Sequence, residues 1–469
     1  MYPEHIFRQY DIRGIADREL SEEFAFVLGR AFSRLLKEKN PEAKRVSVGR
    51  DVRLSSSALK DAVVEGISSS GIDVVDIGVC PTPLQYFSIH HLDLDGGIMV
   101  TGSHNPPEFN GFKLSIGKET IFGTDIQRIK EIIIQGDFLP EKKASVQGYD
   151  ILSAYRDFIL KDFSYLSSDE YPGFKVVVDS GNGTAGLVAP EILRGIGCDV
   201  VELYSEPDGR FPNHHPDPTV VDYIQDLIKT TRQESAHMGV GYDGDADRIG
   251  VVNTEGRIIW GDQLMIILSR DILSRNPGAR IIGDVKCSDI LFEDIKAHGG
   301  IPIIWKTGHS LVKEKMRNEE AALAGEFSGH IFIKERYFGY DDAIYTTVRL
   351  VEIMKKSGKA ISELLSDIPQ LYFTPEIRIP CDEDKKKPVV ERVVKTFLDY
   401  QKNCGAPLKV LDLNTIDGVR VRFEKGWALL RMSNTQPVVV MRVEATSEEA
   451  LNRYRGFIEE EFKKAMEAV

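Results

Sequence analysis

Three aspartates alternate in the stretch "GYDGDADRIG": Asp243, Asp245 and Asp247. Three carboxylates held this close are costly without a cation. Oxygen ligands on a short loop suit a hard divalent ion such as Mg²⁺. An EF-hand is excluded, because position 6 counted from Asp243 is Arg248 instead of glycine and position 12 is Thr254 instead of glutamate. Arg248 follows the carboxylates directly and can meet an anionic substrate. The plain alternative is an exposed acidic turn.

A second stretch, "MVTGSHNPPEFNGFK" (99–113), sets Ser103 among glycine, asparagine and proline. A serine hydroxyl needs an activator or a high-energy state to act as a nucleophile. The Gly-x-Ser-x-Gly elbow of hydrolases is absent, since Thr101 and Asn105 stand where its two glycines belong, with Pro106 directly after. A rigid turn that aims the hydroxyl is expected, with His104 and Lys113 as nearby sources of charge or protons. A helix-capping serine is the alternative. In "GEFSGHIF", Glu326, Ser328 and His330 take alternate positions; on an extended segment they would share one face and could bind a polyol. A hydrogen-bonded strand end explains them equally well. In "RMSNTQP", Arg431, Ser433, Asn434 and Thr435 offer a guanidinium, hydroxyls, an amide and turn N–H groups, the inventory of a phosphate nest or of a hairpin turn.

Such loops must be carried by regular elements, and one pattern of elements comes three times: "RVSVGRDVRLSSSALKDAVVEGISSSGIDVVDIG", "KVVVDSGNGTAGLVAPEILRGIGCDVVELYSEPDG" and "RIIGDVKCSDILFEDIKAHGGIPIIWKTGHS". Each has a β-branched strand ending near Asp51, Asp179 or Asp284, a polar turn, a helix, a glycine and a second apolar strand, a βαβ unit. Recurrence in this order predicts three related α/β domains. "GGIMVTG" (96–102) and "HMGVGYD" (237–243) read as buried strands running into the serine and aspartate loops, as expected where functional loops gather at strand carboxyl ends. The tail differs: "DGVRVRFEKGWALLRMSNTQPVVVMRVEA" alternates like antiparallel strands, and the final helix is apolar at Leu451, Tyr454, Ile458, Phe462 and Met466. The expected architecture is three related α/β domains (1–148, 149–255, 256–367) and a C-terminal α+β domain (368–469). "DEDKKKP" (382–388) is expected to be a solvated loop.

A chain of 469 residues with 42% hydrophobic content is globular and too long for one core. The net charge of −13 opposes nucleic-acid binding. No apolar run is long enough for a membrane span, and the N-terminal stretch lacks a signal-peptide core. The five scattered cysteines read as reduced thiols of a cytoplasmic protein.

Taken in order, "YDIRG" (10–14), "TGSHNPPEFNGFK", "DGDADR", "GEFSGH" and "RMSNTQP" resemble the motifs of the α-D-phosphohexomutase family across essentially the whole chain, in particular its bacterial phosphomannomutase/phosphoglucomutase branch. The resemblance implies a heart-shaped molecule of three related α/β domains and a C-terminal α+β domain, arranged around a central active-site cleft, that interconverts hexose 6-phosphate and hexose 1-phosphate. Ser103 would carry a phosphoryl group. Mg²⁺ would be held by Asp243, Asp245, Asp247 and the Ser103 phosphate. Glucose 1,6-bisphosphate, or the mannose analogue, would charge the serine and also represent the intermediate. Arg431, Ser433, Asn434 and Thr435 would dock the substrate phosphate, with Glu326 and Ser328 on sugar hydroxyls. Tyr10, Lys286 and His309 would line the sugar site. Arg13, Lys113 and Arg248 would neutralise charge. His104, His309, His330 and Lys113 are the proton-transfer candidates, with His330 taken as base and Lys113 as acid. Alanine before the serine and glutamine after the sugar-loop glutamate mark the phosphoglucosamine mutase branch; Gly102 and Phe327 stand there instead. A Mg²⁺-dependent sugar phosphatase is the alternative from another class, and a non-catalytic phosphosugar binder is a third. A monomer is expected, with specificity for glucose, mannose or both.

Overall fold

The computed structural model describes residues 2–171, 173–403, 407–433 and 437–469. It is built on four sheets in chain order. In the first, Arg45–Arg50 is flanked by Asp73–Val79 and Gly96–Val100, both parallel to it, and Phe109–Ile116 pairs antiparallel with the latter. The second repeats this plan. Phe174–Asp179 lies between parallel Cys198–Leu203 and Met238–Tyr242, and Ile249–Asn253 returns antiparallel. The third does so with Arg280–Asp284 between Ile301–Trp305 and Leu323–Gly325, and Ile331–Ile333 returning. The three βαβ units of the sequence are therefore the first two strands of one shared topology.

This repeat fixes where the chemistry goes. The serine, aspartate and sugar-loop stretches each join the third, parallel strand of their sheet to the antiparallel fourth. The phosphate stretch also follows a strand, Gly426–Met432, that pairs antiparallel with Val438–Ala445 in the fourth sheet. That sheet is antiparallel throughout and is packed by the helices Glu383–Asn403 and Glu448–Glu467.

"DEDKKKP" departs from expectation. It begins the helix Glu383–Asn403, where the N–H groups of Lys385 and Lys386 donate to the Asp382 carbonyl. Lys386 is buried, because its stem packs inward while its ammonium reaches the Ser433 carbonyl at 2.9 Å.

The cores divide unevenly. One apolar cluster runs from Val75 through Tyr155, Val240 and Leu268 to Ile361, so the first three units share it. The outer face of the first sheet has its own cluster beneath the helices Glu22–Lys39, Ser56–Ser68 and Thr124–Gln135. The fourth unit has a separate core, from Cys381 to Ala465. It meets the third unit through a mixed seam. Arg420 donates to Asp289 (2.7 Å) and the Cys287 carbonyl (2.8 Å), Ser288 and Trp427 both donate to Glu444 (2.8 Å each), and Arg442 lies 3.6 Å over the Phe327 ring. No helix among the described residues is long and apolar enough to cross a membrane.

Candidate active site

All four loops open into one cleft of about 700 Å³. It is lined by Tyr10, Arg13, Ser103, His104, Lys113, Arg248, Lys286, His309, Glu326, Ser328, His330, Arg431 and Ser433. The three aspartates lie at its floor, fully buried. Asn434 and Thr435 fall outside the described residues.

Ser103 and the aspartates form one centre. The Ser103 hydroxyl donates to Asp243 Oδ2 at 2.9 Å, 140 residues away in sequence. Its backbone is left-handed (φ +50°), and so is that of Ala246 in the aspartate loop (φ +58°). Such conformations cost a residue with a side chain about 1–2 kcal/mol and persist only where their surroundings enforce them. Between the two loops, Gly244 lies so close that a Cβ there would sit 2.7 Å from the Ser103 carbonyl oxygen.

Charges in this floor are balanced from the first unit. Asp245 accepts from Thr82 (2.6 Å), Thr101 (3.1 Å) and Lys113 (2.8 Å), and Lys113 also pairs with Asp247. Burial pulls the Lys113 ammonium down, but Asp245 and Asp247 hold it well above its ordinary range. Burial likewise pushes Asp245 up, and Lys113 outweighs it, leaving that carboxyl below the usual range. Asp243 behaves oppositely. Burial, then Asp247 and Asp245, push it well up. Asp245 Oδ1 and Asp247 Oδ1 are buried without a hydrogen-bond partner among the described residues. One oxygen from each of the three aspartates lies within 4.8 Å of the others. Orphaned, hard, anionic oxygens around one point fit a divalent cation.

On the opposite wall, His330 Nε2 accepts from Arg248 Nε (2.9 Å), so its proton resides on Nδ1. That nitrogen faces Asp341 Oδ2 at 3.2 Å and Asp247 Oδ1 at 3.7 Å. Asp341 also receives Lys313 (3.0 Å), and the His309 ring stacks on His330 at 5.8 Å. Burial, followed by Lys313, keeps His309 well below its ordinary range. Burial, followed by Arg248 and Arg13, does the same for His104, whose Nδ1 lies 3.2 Å from the Ser103 hydroxyl.

The sugar stretch is a turn, not an extended segment. Glu326 N–H bonds to the His330 carbonyl (2.9 Å), and Gly329 adopts φ +89°. Glu326 and Ser328 still meet (3.3 Å), and Glu326 accepts the Gly308 N–H. Tyr10 donates to the Thr307 carbonyl (3.2 Å) and Arg13 to the Gly102 carbonyl (3.3 Å). Lys286 donates to Glu376 (2.7 Å). Arg431 donates through Nε to Asp417 (2.9 Å), while its buried Nη2 has no hydrogen-bond partner among the described residues, an open donor for an anion.

Sequence reasoning missed Asp341, Lys313, Glu376, Arg378 and Lys386. Burial pushes Glu376 up, but Lys286, then Arg378 and Arg431, bring it down to about 2. The paired aspartates of "GYDDA" were the available signal for Asp341.

Four domain families match in order: the phosphoglucomutase/phosphomannomutase α/β/α domains I (4–140), II (153–256) and III (260–372) and its C-terminal domain (376–461). The chain belongs to the phosphoglucomutase/phosphomannomutase family. Within this family it is 44% identical over 462 residues to a Pseudomonas aeruginosa phosphomannomutase/phosphoglucomutase, covering 98% of this chain and 96% of that one. It is 40% identical over 459 residues to a Neisseria gonorrhoeae phosphoglucomutase, covering 97% and 96%. A solved phosphoglucomutase/phosphomannomutase family protein from Burkholderia thailandensis superposes with a TM-score of 0.90 at 39% identity, over 99% of this chain and 98% of that one. These relatives place the chain in the bacterial branch of the α-D-phosphohexomutases.

Proposed function

We propose that this protein is a phosphomannomutase/phosphoglucomutase, interconverting the 6-phosphate and 1-phosphate of glucose, mannose or both through a phosphorylated Ser103 and a hexose 1,6-bisphosphate. The observation that carries this reading is the Ser103–Asp243 hydrogen bond inside the buried aspartate cluster. A passive binder has no use for either group, and a phosphatase with the same pair would release inorganic phosphate in step with turnover.

Asp243, Asp245 and Asp247 would hold Mg²⁺, together with an oxygen of the Ser103 phosphate; when bound it supplies positive charge that stabilises the serine as leaving group. Phosphoryl transfer is chiefly positioning and charge stabilisation, and the residues divide these tasks. Arg431 and Ser433, with Asn434 and Thr435, dock the phosphate that is not reacting. Glu326 and Ser328 hold sugar hydroxyls, and Tyr10 and Lys286 close the sugar site. Arg13 and Arg248 face the charge on the reacting group. His330 takes the proton of the attacking hydroxyl at Nε2 once Arg248 turns to substrate, while Nδ1–H stays directed at Asp341. Lys113 was expected to be the acid. Asp245 and Asp247 hold its proton, which favours the role of counter-ion. His104 and His309, both kept neutral, complete the wall.

Glucose 1,6-bisphosphate charges the serine. Every group used comes from one chain, so a monomer suffices, and the buried free thiols Cys80, Cys198, Cys287 and Cys381 suit the cytoplasm. The division into units 1–148, 149–255, 256–367 and 368–469 gives each one loop of the site. Incubation with glucose 1,6-bisphosphate and intact-mass measurement tests the reading. Phosphate maps to Ser103, and Ser103→Ala lowers mutase turnover by about 10⁴-fold or more. Full activity in that variant would sink it.

A further inference from the structure

Arg53 lies outside every group assigned above, on the turn between the strand Arg45–Arg50 and the helix Ser56–Ser68, and is 1% exposed. An arginine offers five N–H donors in a rigid planar fork. Here all five are used. Nε donates to Asp51 Oδ2 (3.1 Å), Nη1 to the carbonyls of Pro106 (2.5 Å) and Phe109 (2.9 Å), and Nη2 to the carbonyls of Ser103 (2.7 Å) and Asn105 (2.5 Å). Four carbonyls of the serine loop thus converge on one cation.

Asp51 grips the same loop from its other end. Its Oδ2 accepts the Gly102 N–H (3.0 Å), and its Oδ1 accepts the Arg53 N–H (2.9 Å) and the Ser56 hydroxyl (2.5 Å). The fork is closed in on two sides. The Phe211 ring lies 5.2 Å from its centre, and a Cβ on Gly102 would collide with the guanidinium. Between these anchors sits Ser103, in a left-handed conformation that serine does not choose on its own. Two prolines stiffen the loop, but they have no N–H with which to fix its position.

We infer that Arg53, paired with Asp51, is a positioning residue for phosphoryl transfer. It holds residues 103–109 by their carbonyls so that the Ser103 hydroxyl is presented to Asp243. It touches neither substrate nor the reacting atoms. The inference rests on Ser103 being the phosphoryl carrier.

A lysine keeps the charge but has three donors on a point ammonium and cannot span the fork. The experiment therefore compares wild type, Arg53→Lys, Gly102→Ala and Ser103→Ala. Thermal melting checks folding, rapid-quench intact mass follows Ser103 phosphorylation by glucose 1,6-bisphosphate, and steady-state kinetics use glucose 1-phosphate. A shift near 1 Å at the reacting atom is expected to slow phosphorylation and kcat about 100-fold in Arg53→Lys, with KM within about threefold of wild type. Gly102→Ala keeps the Arg53–Asp51 pair and displaces the fork from outside. It is expected to give the same split, and it decides the matter if Arg53→Lys does not fold. A wild-type phosphorylation rate in either folded variant, or a KM that rises as far as kcat falls, overturns the inference. Ser103→Ala separates the two claims: if it stays active the carrier assignment is wrong, and if it is dead while Arg53→Lys is normal only the positioning role is.

Discussion

The first three units and the fourth are held together by different physics. One apolar cluster passes through three sheets, and at the junction the helix Thr82–His91, the helix Ile151–Phe163 and the segment Tyr337–Tyr345 pack aromatic against aromatic. The fourth unit has its own main core and meets the third through ion pairs, hydrogen bonds, the Arg442–Phe327 stack and a small apolar cluster of Val285, Trp427 and Leu429. Apolar continuity makes a rigid block, because separating it would expose surface to water. A mixed seam exposes far less apolar surface on opening, and its polar contacts can be exchanged for water at small net cost. The parts that need fixed geometry, serine and aspartates, are in the block. On the proposed function the phosphate loop must admit a substrate in two orientations, and it is carried by the unit that shares less apolar core with the rest.

Four changes would break or sharpen this contrast. Asp245→Asn cuts the joint where Thr82, Thr101 and Lys113 of the first unit meet the second; turnover should fall by about 10³-fold, and chelation of the wild type should abolish an activity that added Mg²⁺ restores. Next come matched core deletions. Phe163→Ala and Phe397→Ala should each cost about 3–5 kcal/mol. Calorimetry should show the first lowering the transition of the three-unit block and the second lowering a separate transition of the last unit.

The third concerns Asp342, fully buried in the junction among Tyr155, Tyr337 and Tyr345. Burial raises its carboxyl to about 6. An acid raised on folding favours the folded state while protonated. That contribution is complete below the unfolded value near 4 and is lost as pH rises through about 6, by roughly 2–3 kcal/mol. Denaturant titrations should show this slope in wild type, and Asp342→Asn, which keeps the helix cap, should flatten it. The smallest effect is at the seam: Arg420→Ala should raise KM about two- to fivefold with little change in the block's melting.

Much of this was legible in the sequence, for identifiable reasons. The strands Arg45–Arg50, Phe174–Asp179 and Arg280–Asp284 announce themselves by β-branched runs closed by an aspartate, and the loops by residues that no strand or helix interior would accept. What stayed hidden depends on closure in three dimensions. Arg53 reads as one charge in "GRDVRLSS" until its fork is seen on carbonyls some 50 residues away. Asp341 and Glu376 acquire roles only from the cations folded against them. "GEFSGH" misleads because its alternation suggests an extended segment, whereas Gly329 allows the positive φ that turns the chain. "DEDKKKP" misleads because its charges mask a lysine stem long enough to pack while its head stays bonded.

The charge pattern of the cleft has a consequence for the intermediate. The chain carries −13 overall, yet Arg8, Arg13, Arg248, Lys286, Arg378 and Arg431 all line one hollow. On the proposed function, a sugar with a phosphate at each end would find cations at both walls of a chain whose net charge is negative. Turning over would exchange one set of cations for another, whereas leaving would give up both. On that reading the field that draws a monophosphate in would hold the more highly charged bisphosphate more strongly.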